Sequence, residues 1–299
     1  MRVLISGSTG LIGTALVTAL EGAGHQPVRL VRSTDPGDHP SVRWDPATES
    51  IDEGALDDID AVVHLAGESI ATSRWTDAQK ARIMDSRVQG TLTLAKAMAA
   101  AAEPPAVFLS GSAIGYYGDA GDDRVTEASG AADDFAAQVT VRWEAEAAPI
   151  ATDRTRLAYL RTGIVLDPVG GALAEQLPFF KLGLGGRIGS GKQWLSWISL
   201  ADEVGAILHL LHSEVEGPVN LTAPNPVTNH EFTKALGRAL RRPTLLPIPK
   251  PALWMRLGRE LSRTLLEGGA HVSPTVLPQS GYEFLDPELE SALQRMLTD

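Results

Sequence analysis

RVLISGSTGLIG, residues 2–13, runs from an unbroken apolar stretch into glycines at positions 7, 10 and 13. RVLIS (2–6) reads as a strand buried on both faces, and LIGTALVTALEGAG (11–24) as a helix stopped by Gly22 and Gly24. A tight glycine turn between a buried strand and a helix N-terminus lets a pyrophosphate approach bare backbone and meet the first helix amides. Gly7, Ser8, Thr9, Gly10, Leu11, Ile12 and Gly13 are therefore the first candidate cofactor contacts, with Gly13 allowing close helix–strand packing. An ordinary strand-to-helix turn could carry the same glycines, but its place on the first strand of an alternating chain favours a nucleotide site.

That alternation continues downstream. PVRLV (27–31), VRW (42–44), AVVHLAG (61–67), AVFLSGS (106–112) and RLAYLRTGIVL (156–166) read as strands. Helical segments fall at 76–102, ending before Pro104 and Pro105, and around 134–148. Continuous apolar strands separated by helices predict an α/β doubly wound parallel sheet covered on both faces. After about residue 166 the rhythm is lost in the Gly- and Pro-rich segments PVGGAL, LGLGGRIGSG and PTLLPIPKPALW, and 201–213 and 217–222 look like a return to the sheet. We expect a nucleotide-binding domain at 1–166, completed by about 201–222. A small interwoven C-terminal substrate-binding part would comprise 167–200 and 223–299.

The end of the second predicted strand bears on the nucleotide. From Gly22 to Thr34 there is no Asp or Glu, the residues that bind ribose hydroxyls in NAD sites, whereas Arg29, Arg32 and Ser33 are present. Arg32, with Ser33 beside it, suits a 2′-phosphate, so the expected cofactor is NADP(H) rather than NAD(H). A solvated surface arginine is the alternative.

The chain has 299 residues, 43% apolar and 21% charged, with a formal net charge of −11 and no cysteine. That acidity argues against a phosphate-tracking nucleic-acid binder. Cysteine chemistry, disulfide or thiolate metal, is excluded. The apolar run at the N-terminus is too short for a secretory signal, and no stretch is long enough to span a membrane. A cytoplasmic globular protein taking a small-molecule substrate is expected, without nucleic-acid or membrane partners.

GSTGLIG, DAVVHLAG, SGSAIGYYG and RTGIVL together resemble the extended short-chain dehydrogenase/reductases, which include the sugar-nucleotide epimerases. AGESIATSRW (66–75), SRVQGT (86–91), LGLGGRIGSGKQWLSWI (182–198) and LLEGG (265–269) narrow the resemblance to the atypical "epimerase family" members. The resemblance implies an NADP-binding Rossmann domain of seven parallel strands with a small C-terminal substrate domain. It implies that Leu65, Ala66 and Gly67 line the adenosine and ribose and that Arg87 reaches toward the cofactor. Ser110, Gly111 and Ser112 would lie beside the nicotinamide, with the backbone from Gly163 to Val165 along its carboxamide.

In that superfamily a Ser or Thr after the fifth strand works with a Tyr-x-x-x-Lys pair on the next helix, the lysine tuning the phenol and holding the ribose. Ser112 matches the first element. Where the pair belongs, this chain reads Asp134-Phe135-Ala136-Ala137-Gln138-Val139, so Phe135 and Val139 replace the tyrosine and the lysine. Tyr116 and Tyr117 are the substitute candidates, with a cation such as Arg87 in the lysine's stead. A packed aromatic with its hydroxyl on backbone is the other reading of that tyrosine pair. The expected catalytic set is Ser112, Tyr116 and Tyr117.

Other residues are weaker pointers. Gly186 to Gln193 nearly spells a P-loop but fails at Gln193, where a hydroxyl is required, and no buried strand precedes it. Arg187 and Lys192 in that loop could meet an anionic substrate, or the loop could simply be a solvated basic one. Trp194 could wall a pocket with Trp197, or both could pack in a core. Glu68 could carry a proton or simply begin a helix; Glu68, Arg187 and Trp194 are the candidate substrate contacts. Arg74 and Trp75 could close the pocket or pack on the surface, and His64 reads as a core imidazole. His209 and His212, i and i+3 on a helix, lack partner ligands, so no metal site is expected. The sum is an NADP(H)-dependent oxidoreductase or epimerase working by hydride transfer on a small polar, possibly nucleotide-linked substrate. A redox-neutral epimerase, a non-catalytic NADP(H) sensor and a homodimer stay open.

Overall fold

The structure, a computed structural model, describes residues 1–33, 39–71 and 73–298. Thr34 and Thr72, which fall in the stretches quoted above, lie outside these. The strands in chain order are β1 (Arg2–Ser6), β2 (Gln26–Val31), β3 (Ser41–Asp45), β4 (Ser50–Ile51), β5 (Ala61–His64), β6 (Val107–Ala113), β7 (Arg124–Val125), β8 (Arg156–Thr162), β9 (Ile164–Leu166), β10 (Trp194–Leu195), β11 (Trp197–Ser199), β12 (Gly217–Leu221), β13 (Val227–Thr228) and β14 (His271–Val272). The helices are α1 (Leu11–Gly22), α2 (Asp77–Ala100), α3 (Phe135–Ala147), α4 (Gly171–Lys181), α5 (Leu200–His212), α6 (Asn229–Leu240), α7 (Lys250–Leu257), α8 (Arg259–Ser262), α9 (Val276–Gln279) and α10 (Leu289–Thr298).

The main sheet has eight strands in the order β12-β8-β6-β5-β1-β2-β3-β4. All pair in parallel except β4, which folds back antiparallel on β3 and adds one strand to the seven expected. The strand order reverses between β1 and β5, so their C-terminal ends flank the crevice where such sheets bind ligands.

β1 shows why this sheet must be covered on both sides. Val3 and Ile5 face a core built with Leu16 and Leu20 of α1 and Ile207 and Leu210 of α5. Leu4, between them, faces the opposite core with Leu94 and Met98 of α2 and Phe108 of β6. Each fully buried Leu or Ile contributes about 1.5–3 kcal/mol. Helix starts follow their caps: Thr76 accepts from the Gln79 amide for α2, Asp134 from Ala137 for α3 and Ser199 from Asp202 for α5. Gly24 ends α1 with φ +77.

The single strand expected at 156–166 is two. β8 stays in the main sheet, and after Gly163 the chain turns so that β9 pairs with β11 instead. Gly163 has no room for a side chain, since a Cβ there would lie 2.7 Å from the Ser196 carbonyl oxygen. The strand expected over 61–67 ends at His64, leaving Leu65–Gly67 as loop. A third core joins α4, α6 and α10 through Phe180, Trp197, Phe232 and Leu293. Among the described residues no helix is long and apolar enough to cross a membrane.

Candidate functional site

The C-terminal ends of the parallel strands gather the glycine turn, the loop after β5, the end of β6 and the turn after β8 on one edge of the sheet. Gly7 takes φ +72, and a Cβ there would meet the Leu65 carbonyl carbon at 2.8 Å. A Cβ on Gly13 would lie 2.2 Å from the Gly7 oxygen. Gly10, at the head of α1, offers no capping side chain, and the first turn carries no acidic residue. The first-turn amides thus stay open to an anion in a cradle that only glycine permits, which fits a dinucleotide's pyrophosphate. Arg29 on β2 braces the turn, its Nε donating to Ser8 Oγ at 3.2 Å. Arg32 and Ser33 stand exposed at the end of the same strand.

His64 ties this turn to the loop after β5. Ser6 Oγ accepts from the amides of Leu65 and Ala66, both at 3.1 Å, and lies 2.6 Å from His64 Nδ1. With two amides on its lone pairs, the hydroxyl gives its one proton to Nδ1, so Nε2 carries the ring proton toward Thr91 Oγ1 at 3.1 Å. Burial, with help from the nearby Arg87 charge, pushes the His64 pKa down to about 3, and the ring is neutral. The sequence reading of a satisfied core imidazole holds.

Ser112, Tyr116 and Tyr117 come together around a residue that the sequence reading passed over, Arg161 of β8. Arg161 faces Ser112 across the β6–β8 register. Its Nε and Nη2 donate to the two oxygens of Glu144 on α3, at 2.8 and 2.9 Å. Its Nη1 donates to the Tyr117 hydroxyl at 2.9 Å, and its Cζ lies 3.5 Å from the centre of the Tyr116 ring. Burial opposes the Arg161 charge, but Glu144 outweighs it and lifts its pKa above the ordinary arginine value. Ser112 Oγ donates to Glu144 Oε1 at 2.7 Å. Tyr117 is buried and donates to Asn220 Oδ1 at 2.7 Å; burial pushes its phenol upward against the pull of Arg161. Asn220 in turn donates from its amide to Glu127 Oε1 at 3.2 Å.

The cation beside the tyrosines is therefore Arg161, not Arg87. Arg87 stacks on Trp143 instead, 4.9 Å from the ring centre. The dyad positions are closed as well as substituted. Phe135 packs edge-on against Trp75 at 4.9 Å, and Val139 is buried with Trp75, Ile83 and Leu261.

The remaining residues separate. Glu68 is exposed and accepts from Gln79 Nε2 at 3.3 Å. Arg187 bonds within its own loop, to the Gly189 carbonyl. Trp194 stacks on His271 at 4.2 Å and donates to Asp122 at 3.0 Å, while Trp197 is fully buried in the third core. Arg74 reaches the Met255 and Arg256 carbonyls on α7, and Trp75 donates to the Ile70 carbonyl. His209 bonds Ser280, and His212 lies 3.2 Å from His25. Among the described residues no three His, Asp or Glu side chains cluster as a metal site requires.

Glu203 on α5 was also missed. It is fully buried, accepts from Thr162 Oγ1 at 2.8 Å, and its other oxygen has no partner. Burial pushes its pKa from 4.5 up to about 8. The folded chain thus holds this proton more tightly than the unfolded one, so its stabilising effect is full below pH 4.5 and lost as pH rises toward 8. Denaturant unfolding should show stability falling on the order of 1 kcal/mol per pH unit in that window, and Glu203→Gln should flatten the slope. An unchanged slope in the variant would remove Glu203 as its source.

A doubly wound sheet with a glycine turn at its switch point and a Ser–Tyr cluster at the strand ends defines a Rossmann-type protein of the short-chain dehydrogenase/reductase kind. The profile of the NAD dependent epimerase/dehydratase family matches residues 3–144, and that of a domain of unknown function matches 248–296. An epimerase family protein of Mycobacterium bovis is 43% identical over 292 residues, covering 97% of this chain and 96% of its own. The crystal structure of human epimerase family protein SDR39U1 (isoform 2) with NADPH superposes with a TM-score of 0.93 at 35% identity, covering 100% of both chains. A nucleoside-diphosphate sugar epimerase of Corynebacterium glutamicum matches with a TM-score of 0.79 at 33% identity, over 99% of this chain and 58% of that one. The chain belongs to the NAD dependent epimerase/dehydratase family.

Proposed function

We propose that this protein binds NADP(H) and acts as an oxidoreductase or epimerase on a small polar, possibly nucleotide-linked substrate. The observation that carries this reading is the glycine cradle at Gly7–Gly13 with Arg29 on the adjacent strand, Arg32 just past its end, and no Asp or Glu from Gly22 to Thr34. The human relative solved with NADPH supports it. Gly7, Ser8, Thr9, Gly10, Leu11, Ile12 and Gly13 hold the pyrophosphate, and Arg32 with Ser33 the 2′-phosphate. Leu65, Ala66, Gly67 and Arg87 line one side of the dinucleotide; Ser110, Gly111, Gly163 and Val165 line the other. The bound nicotinamide supplies hydride transfer.

The chain's own residues handle the proton and the substrate. Tyr116 is the phenol whose hydroxyl has no hydrogen-bond partner among the described residues, and its ring is held by Arg161. Tyr117 has its hydroxyl engaged by Arg161 and Asn220, and serves as the wall behind Tyr116. Ser112, its proton given to Glu144, presents lone pairs to a substrate hydroxyl. Glu68, Arg187 and Trp194, with the C-terminal part at 167–200 and 223–299, complete the substrate side. The apolar plug at Phe135 and Val139 favours a second reading, an NADP(H) sensor without turnover.

Fluorescence titration of nucleotide-free protein tests the cofactor reading. NADPH should bind more tightly than NADH by about tenfold or more, about 1.4 kcal/mol. Arg32→Ala should erase that preference. If neither nucleotide binds, the reading falls.

A further inference from the structure

Charge is unevenly spread along this chain. Residues 178–198 and 232–266 hold eleven of the 26 Lys and Arg but one of the 37 acidic residues, Glu260. That carboxylate is already paired with Lys80 at 2.5 Å. The fold brings the two segments together as a pair of loops, 182–191 after α4 and 241–249 after α6. The Ile248 amide donates to the Arg187 carbonyl at 2.8 Å and the Gly189 amide to the Ile248 carbonyl at 3.2 Å. Arg242 Nε adds a bond to the Lys181 carbonyl at 2.8 Å. Gly186 makes the approach possible, since a Cβ there would collide with the Leu246 carbonyl oxygen. Pro243, Pro247 and Pro249 stiffen the second loop.

The tips that this braced pair presents are apolar. Leu182, Leu184, Leu245 and Leu246 are 74, 60, 81 and 72% exposed. Side chains that stand so far out line no groove for a peptide, and leucines do nothing for a phosphate-tracking surface. At the roots of the two loops Lys181, Arg241 and Arg242 are exposed, and none forms an ion pair among the described residues. Projecting leucines above a cationic base are the two elements of interfacial lipid binding. The apolar chains enter the acyl boundary while the cations meet anionic headgroups.

We propose that this face docks the protein reversibly on an anionic lipid surface. Such docking needs no spanning helix, and the overall charge of −11 conceals the basic face that favours it. It does not rest on the cofactor reading.

The full chain is sedimented with vesicles of phosphatidylcholine alone and of phosphatidylcholine mixed with phosphatidylglycerol. The mixed vesicles should capture it at least about tenfold better, and raised salt should release it. Leu245→Ser with Leu246→Ser, and separately Lys181→Gln with Arg241→Gln, should each cut capture by about tenfold. All four positions are exposed, so both variants should melt within about 2 °C of wild type. Mixed vesicles that fail to capture wild type overturn the proposal, as does either variant captured like wild type. Equal capture by both kinds of vesicle overturns it too, because the cations then do nothing. A dimer that the leucine variant dissolves, without vesicle capture, would make the face a contact between copies of this chain instead.

Discussion

Gly13→Ala should raise the Kd for NADPH by about 100-fold or more. The added Cβ would sit 2.2 Å from the Gly7 oxygen and 2.8 Å from both the Gly7 carbonyl carbon and Ser8 Cα. All three are backbone atoms of the turn, so no side chain can swing away to make room. Helix α1 must back off from the turn, and the first-turn amides leave the place where a pyrophosphate would meet them. Gly22→Ala at the other end of the same helix is the control, since nothing lies within 4 Å of its added Cβ. Calorimetry with both variants, beside their melting temperatures, separates lost binding from lost folding. A Gly13→Ala protein that binds NADPH like wild type would move the cofactor away from this turn.

Arg161→Met should destabilise the fold by about 3–5 kcal/mol, the usual result of stranding one member of a buried ion pair. The Arg161 side chain is 4% exposed and that of Glu144 12%, so solvent cannot take over the abandoned carboxylate. Tyr117 loses its donor at the same time. For a chain of this size the melting temperature should drop by roughly 10 °C. Replacing both charges, Arg161→Met with Glu144→Leu, should recover a good part of the loss, because no uncompensated charge remains. Thermal melts of the two singles and the double close the cycle. A single Arg161 variant melting within a degree of wild type would show that the pair holds nothing together.

The pair was absent from the sequence reading although a signal for it existed. RLAYLRTGIVL reads as a strand covered on both faces, and a charge inside such a strand, Arg161, needs a buried partner. Nothing local says that the partner is Glu144, because both lie in separate elements that meet only when α3 lands on β6 and β8. Tyr116 and Tyr117 show the same limit. Their small-residue surroundings marked the loop, yet only contacts with Arg161 and Asn220, the latter 103 residues away, distinguish the engaged hydroxyl from the other. The loss of the Tyr-x-x-x-Lys pair was legible as Phe135 and Val139. That Leu261 and Trp75 close over Val139 was not.

By itself the sequence determined the features that depend on neighbours along the chain. These are the alternation of buried strands and helices, the glycine turn at Gly7–Gly13, the absence of Asp and Glu from Gly22 to Thr34, and the family to which such a chain belongs. Each rests on periodicity or backbone sterics acting within a few residues. Tertiary structure decided which cation serves which group. Arg161 and Arg87 are both arginines on predicted elements, and only packing puts one against Tyr116 and Glu144 and the other on Trp143. A buried charge is placed by where its counter-charge or its aromatic face falls in space, and that is set by the whole sheet and its helices.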